Sequence, residues 1–166
     1  MYRPALFVCA ASAALMGCGG GSGASRAVEG FAEAMADSAY GDAWEMLTPV
    51  TQARYDSTVA VLRRFGWAES RESLTDIAGE ITEEEFDTLT GRGLFVLSSA
   101  AHPETADLSD AIESVTHPDS GVAVVVLETN IGPQEVVVRR IEGRWLLDLT
   151  QLRPPTERGR HGPDQP

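Results

Sequence analysis

The chain has 166 residues, 43% of them hydrophobic, and a formal net charge of -12, with 25 acidic side chains against 13 basic ones. Every basic residue besides histidine is arginine, and phosphate binding needs accumulated positive charge, so nucleic acid is excluded as an expected partner. The length suits one domain of ordinary size, and two cysteines do not make a disulfide-built scaffold.

The first residues have the three zones of an export signal: Arg3 as a basic start, an apolar run from Ala5 to Met16, and small residues around Gly17. The run is too short to span a bilayer. Its end, Leu15-Met16-Gly17-Cys18, resembles a bacterial lipobox, with an aliphatic residue three before the cysteine and a small one immediately before it. The resemblance implies lipid attachment to the Cys18 thiol and cleavage between Gly17 and Cys18. The alternative is an ordinary secretory signal cleaved near Ala13 or Gly17. Cys9 is lost either way, which leaves Cys18 without a disulfide partner. Under the sorting rule of enteric lipoproteins, Gly19 rather than Asp after the cysteine points to the outer membrane, facing the periplasm. The expected organisation is a signal peptide over 1–17, a lipidated cysteine and Gly/Ser linker over 18–25, a domain over 26–152 and a disordered, proline-rich tail over 153–166.

Within the body, Val28, Phe31, Ala32, Met35 and Ala39 follow the spacing of one buried helix face, with Ser25 as its N-cap. Asp42-Ala43-Trp44-Glu45 approximates a capping box for a short second helix through Leu47. Thr48-Pro49 opens a third, with Tyr55, Val59, Leu62 and Gly66 along one side. Ser70 to Ala78 reads as a fourth helix anchored by Leu74 and Ile77. Thr82-Glu83-Glu84-Glu85 is a clear capping box for a fifth that continues through Phe86, Leu89, Leu94 and Leu97, weakened by Gly91 and Gly93.

After His102-Pro103 the pattern becomes β-branched. Ile112 to Thr116, Val122 to Thr129, Val136 to Ile141 and Arg144 to Leu149 are separated by Pro118-Asp119-Ser120-Gly121, Asn130-Ile131-Gly132-Pro133 and Glu142-Gly143, the punctuation of an antiparallel meander. The unbroken apolar run Val122 to Leu127 predicts a central strand covered on both faces. Helices followed by a meander define an α+β class.

Three stretches resemble small bacterial lipoproteins of the NTF2-like, cystatin-like superfamily: Ala27 to Met35 running into Tyr40-Gly41-Asp42-Ala43-Trp44-Glu45-Met46-Leu47, Thr48-Pro49 with Gln52-Ala53-Arg54-Tyr55, and the closing Val136 to Leu149. The resemblance implies N-terminal helices packed in the concave face of a curved antiparallel sheet, often around an open pocket, and it supplies no catalytic residues or cofactor.

Phe31, Trp44, Tyr55 and Trp145 are the candidates for lining such a pocket, although a packed core uses the same residues and is the stronger expectation. The acid-base candidates are Tyr55-Asp56 and Asp148. Neighbours on a helix point about 100° apart, so Tyr55 and Asp56 do not share one pocket, and strand alternation puts Asp148 on the sheet face opposite Trp145 and Leu149. His102 and His117 precede prolines in turn-like sequence and His161 lies in the tail, none at metal-ligand spacing. Glu83 to Glu85 complement a helix dipole, and Gly91-Arg92-Gly93 lacks the strand that a phosphate loop needs. The expected protein is a non-enzymatic envelope lipoprotein without metal or cofactor, held to the membrane by its lipid, whose partner is another envelope protein or a small apolar ligand. A pocket isomerase or dehydratase and a passive structural component are the alternatives.

Overall fold

The computed structural model describes residues 23–102, 112–129 and 132–153. The expected signal peptide over 1–17, Cys18, His161 and the expected tail from 154 lie outside them. Helix α1 (Gly23–Ala36) buries Val28, Phe31, Ala32 and Met35, as their spacing predicts. It begins three residues before Arg26, so Gly23, Ala24 and Ser25 belong to the helix rather than to a linker, and Ser25 is inside it rather than capping it. A long-range contact accounts for the difference. A Cβ on Gly23 would stand 2.7 Å from ring atoms of Trp145, so the absence of a side chain lets the first turn rest on that indole.

In α2 (Tyr40–Trp44), Asp42 is a helical residue and the N-cap is Ala39, which makes no side-chain cap bond. The helix ends before Leu47 because the following backbone is taken by the sheet. Leu147 donates its N–H to the Met46 carbonyl at 2.9 Å, and Thr48 donates its own to the Leu147 carbonyl at 2.9 Å, a parallel bridge centred on Leu47. Thr48 then caps α3 (Pro49–Phe65), its hydroxyl accepting the Thr51 N–H, with Pro49 opening the helix.

Helix α4 (Trp67–Ala78) starts three residues before Ser70. Ser70, Leu74 and Ala78 face inward at four-residue intervals, while Ile77 is 41% exposed and does not anchor the helix. The capping box of α5 (Glu83–Thr88) forms as predicted, with Thr82 and Glu85 bonded reciprocally. The expected continuous helix nevertheless breaks at Leu89-Thr90, and α6 (Gly91–Ala101) starts anew with the Thr90 hydroxyl accepting the Gly93 N–H. Groups from α3 receive the backbone freed by the break. Arg63 donates to the carbonyls of Asp87 and Leu89 at 3.0 and 2.6 Å, and Asp56 accepts the Gly91 N–H at 3.1 Å.

The strands β1 (Ile112–Asp119), β2 (Val122–Thr129), β3 (Gly132–Ile141) and β4 (Arg144–Arg153) form an antiparallel sheet in the order β1-β2-β3-β4, so the described chain is α+β with a meander. Glu142 and Gly143, at φ 51° and 84°, make the two-residue turn between β3 and β4, where backbone twist favours left-handed residues. Strand β1 runs past Thr116 through His117 and Pro118, with a register shift between Thr116 and Asp119 that accommodates the proline at the sheet edge. Strand β2 is internal, but the coverage of its two faces is unequal: Ala123, Val125 and Leu127 are buried, whereas Val122, Val124 and Val126 are half-buried.

Two apolar cores result. One joins α1 and α2 to the sheet through Val28, Phe31, Trp44, Leu47, Val125 and Leu147; the other joins α3 to α4, α5 and α6 through Val59, Leu74, Phe86 and Leu94. Each fully buried aliphatic side chain contributes roughly 1.5–3 kcal/mol relative to exposure. Helices α3 and α6 approach closely at Gly91, where a Cβ would lie 2.6 Å from the backbone nitrogen of Asp56. Gly91→Ala is therefore expected to destabilise the protein by about 1–3 kcal/mol. Gly30→Ala in α1, where the added methyl meets only the Met46 thioether at 3.8 Å, is expected to stabilise it by about 0.5–1 kcal/mol. Denaturant midpoints of the two variants against the parent measure both signs.

Candidate functional site

Thr51, Arg54, Tyr55 and Thr58 occupy positions i, i+3, i+4 and i+7 of α3, which places them on one helix face. That face meets Leu149 and Thr150 near the end of β4, and the six residues line a half-open cleft of about 420 Å³. Its position follows from the bridge at Leu47, which sets the start of α3 against β4. The Thr51 hydroxyl strengthens the junction by accepting the Leu149 N–H at 3.0 Å while sharing a hydrogen bond with the Thr48 hydroxyl, also at 3.0 Å.

The Tyr55 ring is fixed from behind. It meets Trp44 edge to face at 5.8 Å and Phe95 at 5.5 Å, and Trp44 lies 5.6 Å from Phe95. Its hydroxyl makes no hydrogen bond among the described residues, and Tyr55 is one of the residues lining the cleft. Burial raises the phenol above its ordinary value of 10.0 more than the Arg54 charge lowers it, so it remains a neutral donor at neutral pH. The Arg54 guanidinium is exposed and has no carboxylate partner among the described residues.

Of the four aromatics proposed as pocket lining, only Tyr55 lines this cleft. Phe31 and Trp44 are buried in the packed core, and Trp145 lies at the other end of β4 against the His117 ring, 6.0 Å away. The remaining lining residues, Thr51, Arg54, Thr58, Leu149 and Thr150, were not among the sequence candidates. The polar stripe beside Tyr55 was the available signal, but nothing local indicated which strand would face it.

Asp148 is fully buried on the sheet face opposite Leu147, in register with Val137. Burial alone would raise its carboxyl. The Thr150 hydroxyl at 2.5 Å, the Arg139 guanidinium at 2.9 Å and the Thr150 N–H at 3.2 Å outweigh that effect and hold it below the ordinary 3.8. Asp56 is exposed, and its carboxylate serves the start of α6 rather than the cleft. The Tyr55-Asp56 pair therefore divides between two faces of α3, as helix geometry requires.

The other polar candidates have structural partners. The Thr82 backbone N–H and then its hydroxyl lower the Glu85 carboxyl as part of the capping box. Arg92 reaches Glu45 at 3.3 Å and the Gly41 carbonyl at 3.1 Å. His102 contacts the Asp76 carbonyl through Nε2, and His117 stands in β1 rather than in a loop. Among the described residues no group of three or more His, Cys, Asp or Glu is placed to hold a metal ion, and no helix is long and apolar enough to cross a membrane. No family model, curated protein or solved structure matches the chain.

Because the folded Asp148 carboxyl titrates below 3.8, its stabilising contribution is complete above that pH and is lost as pH falls through the lower, folded value. Asp148→Asn is expected to cost about 1–3 kcal/mol at pH 7 by removing the charged acceptor of Arg139. The gap between variant and parent should close as pH falls below 3.8, as read from unfolding midpoints.

Proposed function

We propose that the chain is a lipid-anchored envelope lipoprotein, attached through Cys18, whose body is a non-enzymatic binding module of NTF2-like architecture. The observation that carries this reading is Leu15-Met16-Gly17-Cys18 at the end of an apolar run. A diacylglyceryl group on Cys18 supplies two acyl chains, enough for stable membrane attachment without help from the acidic body. Helices preceding a four-stranded meander, with α1 and α3 against the sheet, support the NTF2-like assignment. The structural engagement of Asp56 and Asp148 supports binding over acid-base catalysis.

Only Gly19 to Ser22 separate Cys18 from the start of α1, a span of at most roughly 18 Å even when fully extended. The anchored domain is thus held close to the bilayer, at the outer membrane if Gly19 is read by the enteric sorting rule. Its partner is another envelope protein or a small ligand.

Expressed in a bacterial host, the parent should fractionate with membranes and carry the mass of a diacylglyceryl group on Cys18. Cys18→Ser should move to the soluble fraction with an unchanged thermal midpoint. Membrane retention of that variant, or an unmodified Cys18 in the parent, overturns the anchor.

A further inference from the structure

The cleft between α3 and β4 has a specific pattern of hydrogen-bonding capacity. Thr58 donates its hydroxyl proton to the Arg54 carbonyl at 3.0 Å, and Thr150 donates its own to Asp148 at 2.5 Å. Both hydroxyls therefore have lone pairs rather than protons left for a ligand. Among the described lining residues, the Arg54 guanidinium and the Tyr55 hydroxyl are donors that make no hydrogen bond. Leu149 contributes apolar surface.

The charges follow the same division. The nearby carboxylate, Asp148, is neutralised by Arg139, and the Asp56 carboxylate is turned to α6. Among the described residues Arg54 is thus a cation without a carboxylate partner, lining a cleft on a chain whose net charge is -12. A planar guanidinium beside a phenolic donor suits a carboxylate, which accepts from both. The threonine lone pairs suit an O–H or N–H donor on the same molecule. A cleft of about 420 Å³ limits that molecule to a small one.

We propose that the α3/β4 cleft binds a small carboxylate bearing an adjacent hydroxyl or amine, with Arg54 and Tyr55 holding the carboxylate and Thr58 and Thr150 accepting from the second group. This rests on the reading of the body as a binding module and replaces an apolar ligand in the interior with a polar one at the edge. The ring of Tyr55 is held by Trp44 and Phe95, so its hydroxyl is positioned before the ligand arrives and little ordering entropy is lost there.

The test uses the full-length chain, isotope-labelled and purified in detergent, titrated by NMR with lactate, alanine, acetate and inorganic phosphate. Lactate or alanine should give saturable amide shifts at Thr51 to Thr58 and at Leu149 and Thr150, with acetate about tenfold weaker. Arg54→Gln should weaken the tighter of the two by about tenfold or more and Tyr55→Phe by about three- to tenfold. Both should leave the unfolding midpoint in place, since Arg54 is exposed and phenylalanine keeps the ring contacts. No saturable shift, an unchanged affinity in Arg54→Gln, or phosphate binding more tightly than both lactate and alanine overturns the assignment. None of these outcomes bears on Cys18, whose anchoring is decided by the fractionation of Cys18→Ser.

Discussion

The main-chain exchange between Leu147 and the segment Met46 to Thr48 is the constraint on which the arrangement of helices and sheet depends. Unpaired backbone groups at a sheet edge are costly when buried, and this exchange satisfies two of them on β4. Because Thr48 is also the N-cap of α3, the direction of that helix follows from the same bond. Thr51, one turn later, accepts the Leu149 N–H, so a second point on α3 is tied to the same strand. Two tethers fix a helix axis where one would leave it free to pivot. The cleft is the space left beside that junction, where α3 passes the end of β4.

Helix α3 also connects the two apolar cores. Tyr55 packs against both, with Trp44 and Phe95 behind it and Val59 and Leu94 in the cluster below. Edge-to-face aromatic pairs contribute about 0.5–1.5 kcal/mol each beyond their buried area, so the ring that forms part of the cleft wall is also structural. The opposite side of α3 organises the helical layer. Asp56 and Arg63 receive the backbone groups released where α5 gives way to α6, and Gly91 allows the close approach those bonds require. Polar residues on one helix thus perform three separable tasks: securing a strand, receiving a helix break and lining a cleft.

The proposed anchor and the domain make separate physical demands. Lipid attachment needs only an accessible thiol behind an apolar run, whereas the domain is held by packing and by hydrogen bonds remote from that end. The start of α1 on Trp145 sets the first turn of the helix beside the strand that follows the β3–β4 turn.

Local chemistry alone specified the capping box at Thr82 and Glu85, the Thr48-Pro49 helix start, the order of helices before strands and the Glu142-Gly143 turn, because each depends on residues within a few positions of one another. Inward positions such as Val28, Phe31 and Leu74 were legible for the same reason, as periodicity reports the face of an element. The break between α5 and α6, the early start of α1 and the end of α2 depended instead on Arg63, Asp56, Trp145 and Leu147, partners remote in sequence. The cleft belongs to that second group. Its α3 face was written in the spacing of Thr51, Arg54, Tyr55 and Thr58, but a helix face becomes a site only when an opposing surface is brought to it. That was decided by the tertiary pairing of Leu47 with Leu147, which brought the end of β4 alongside α3.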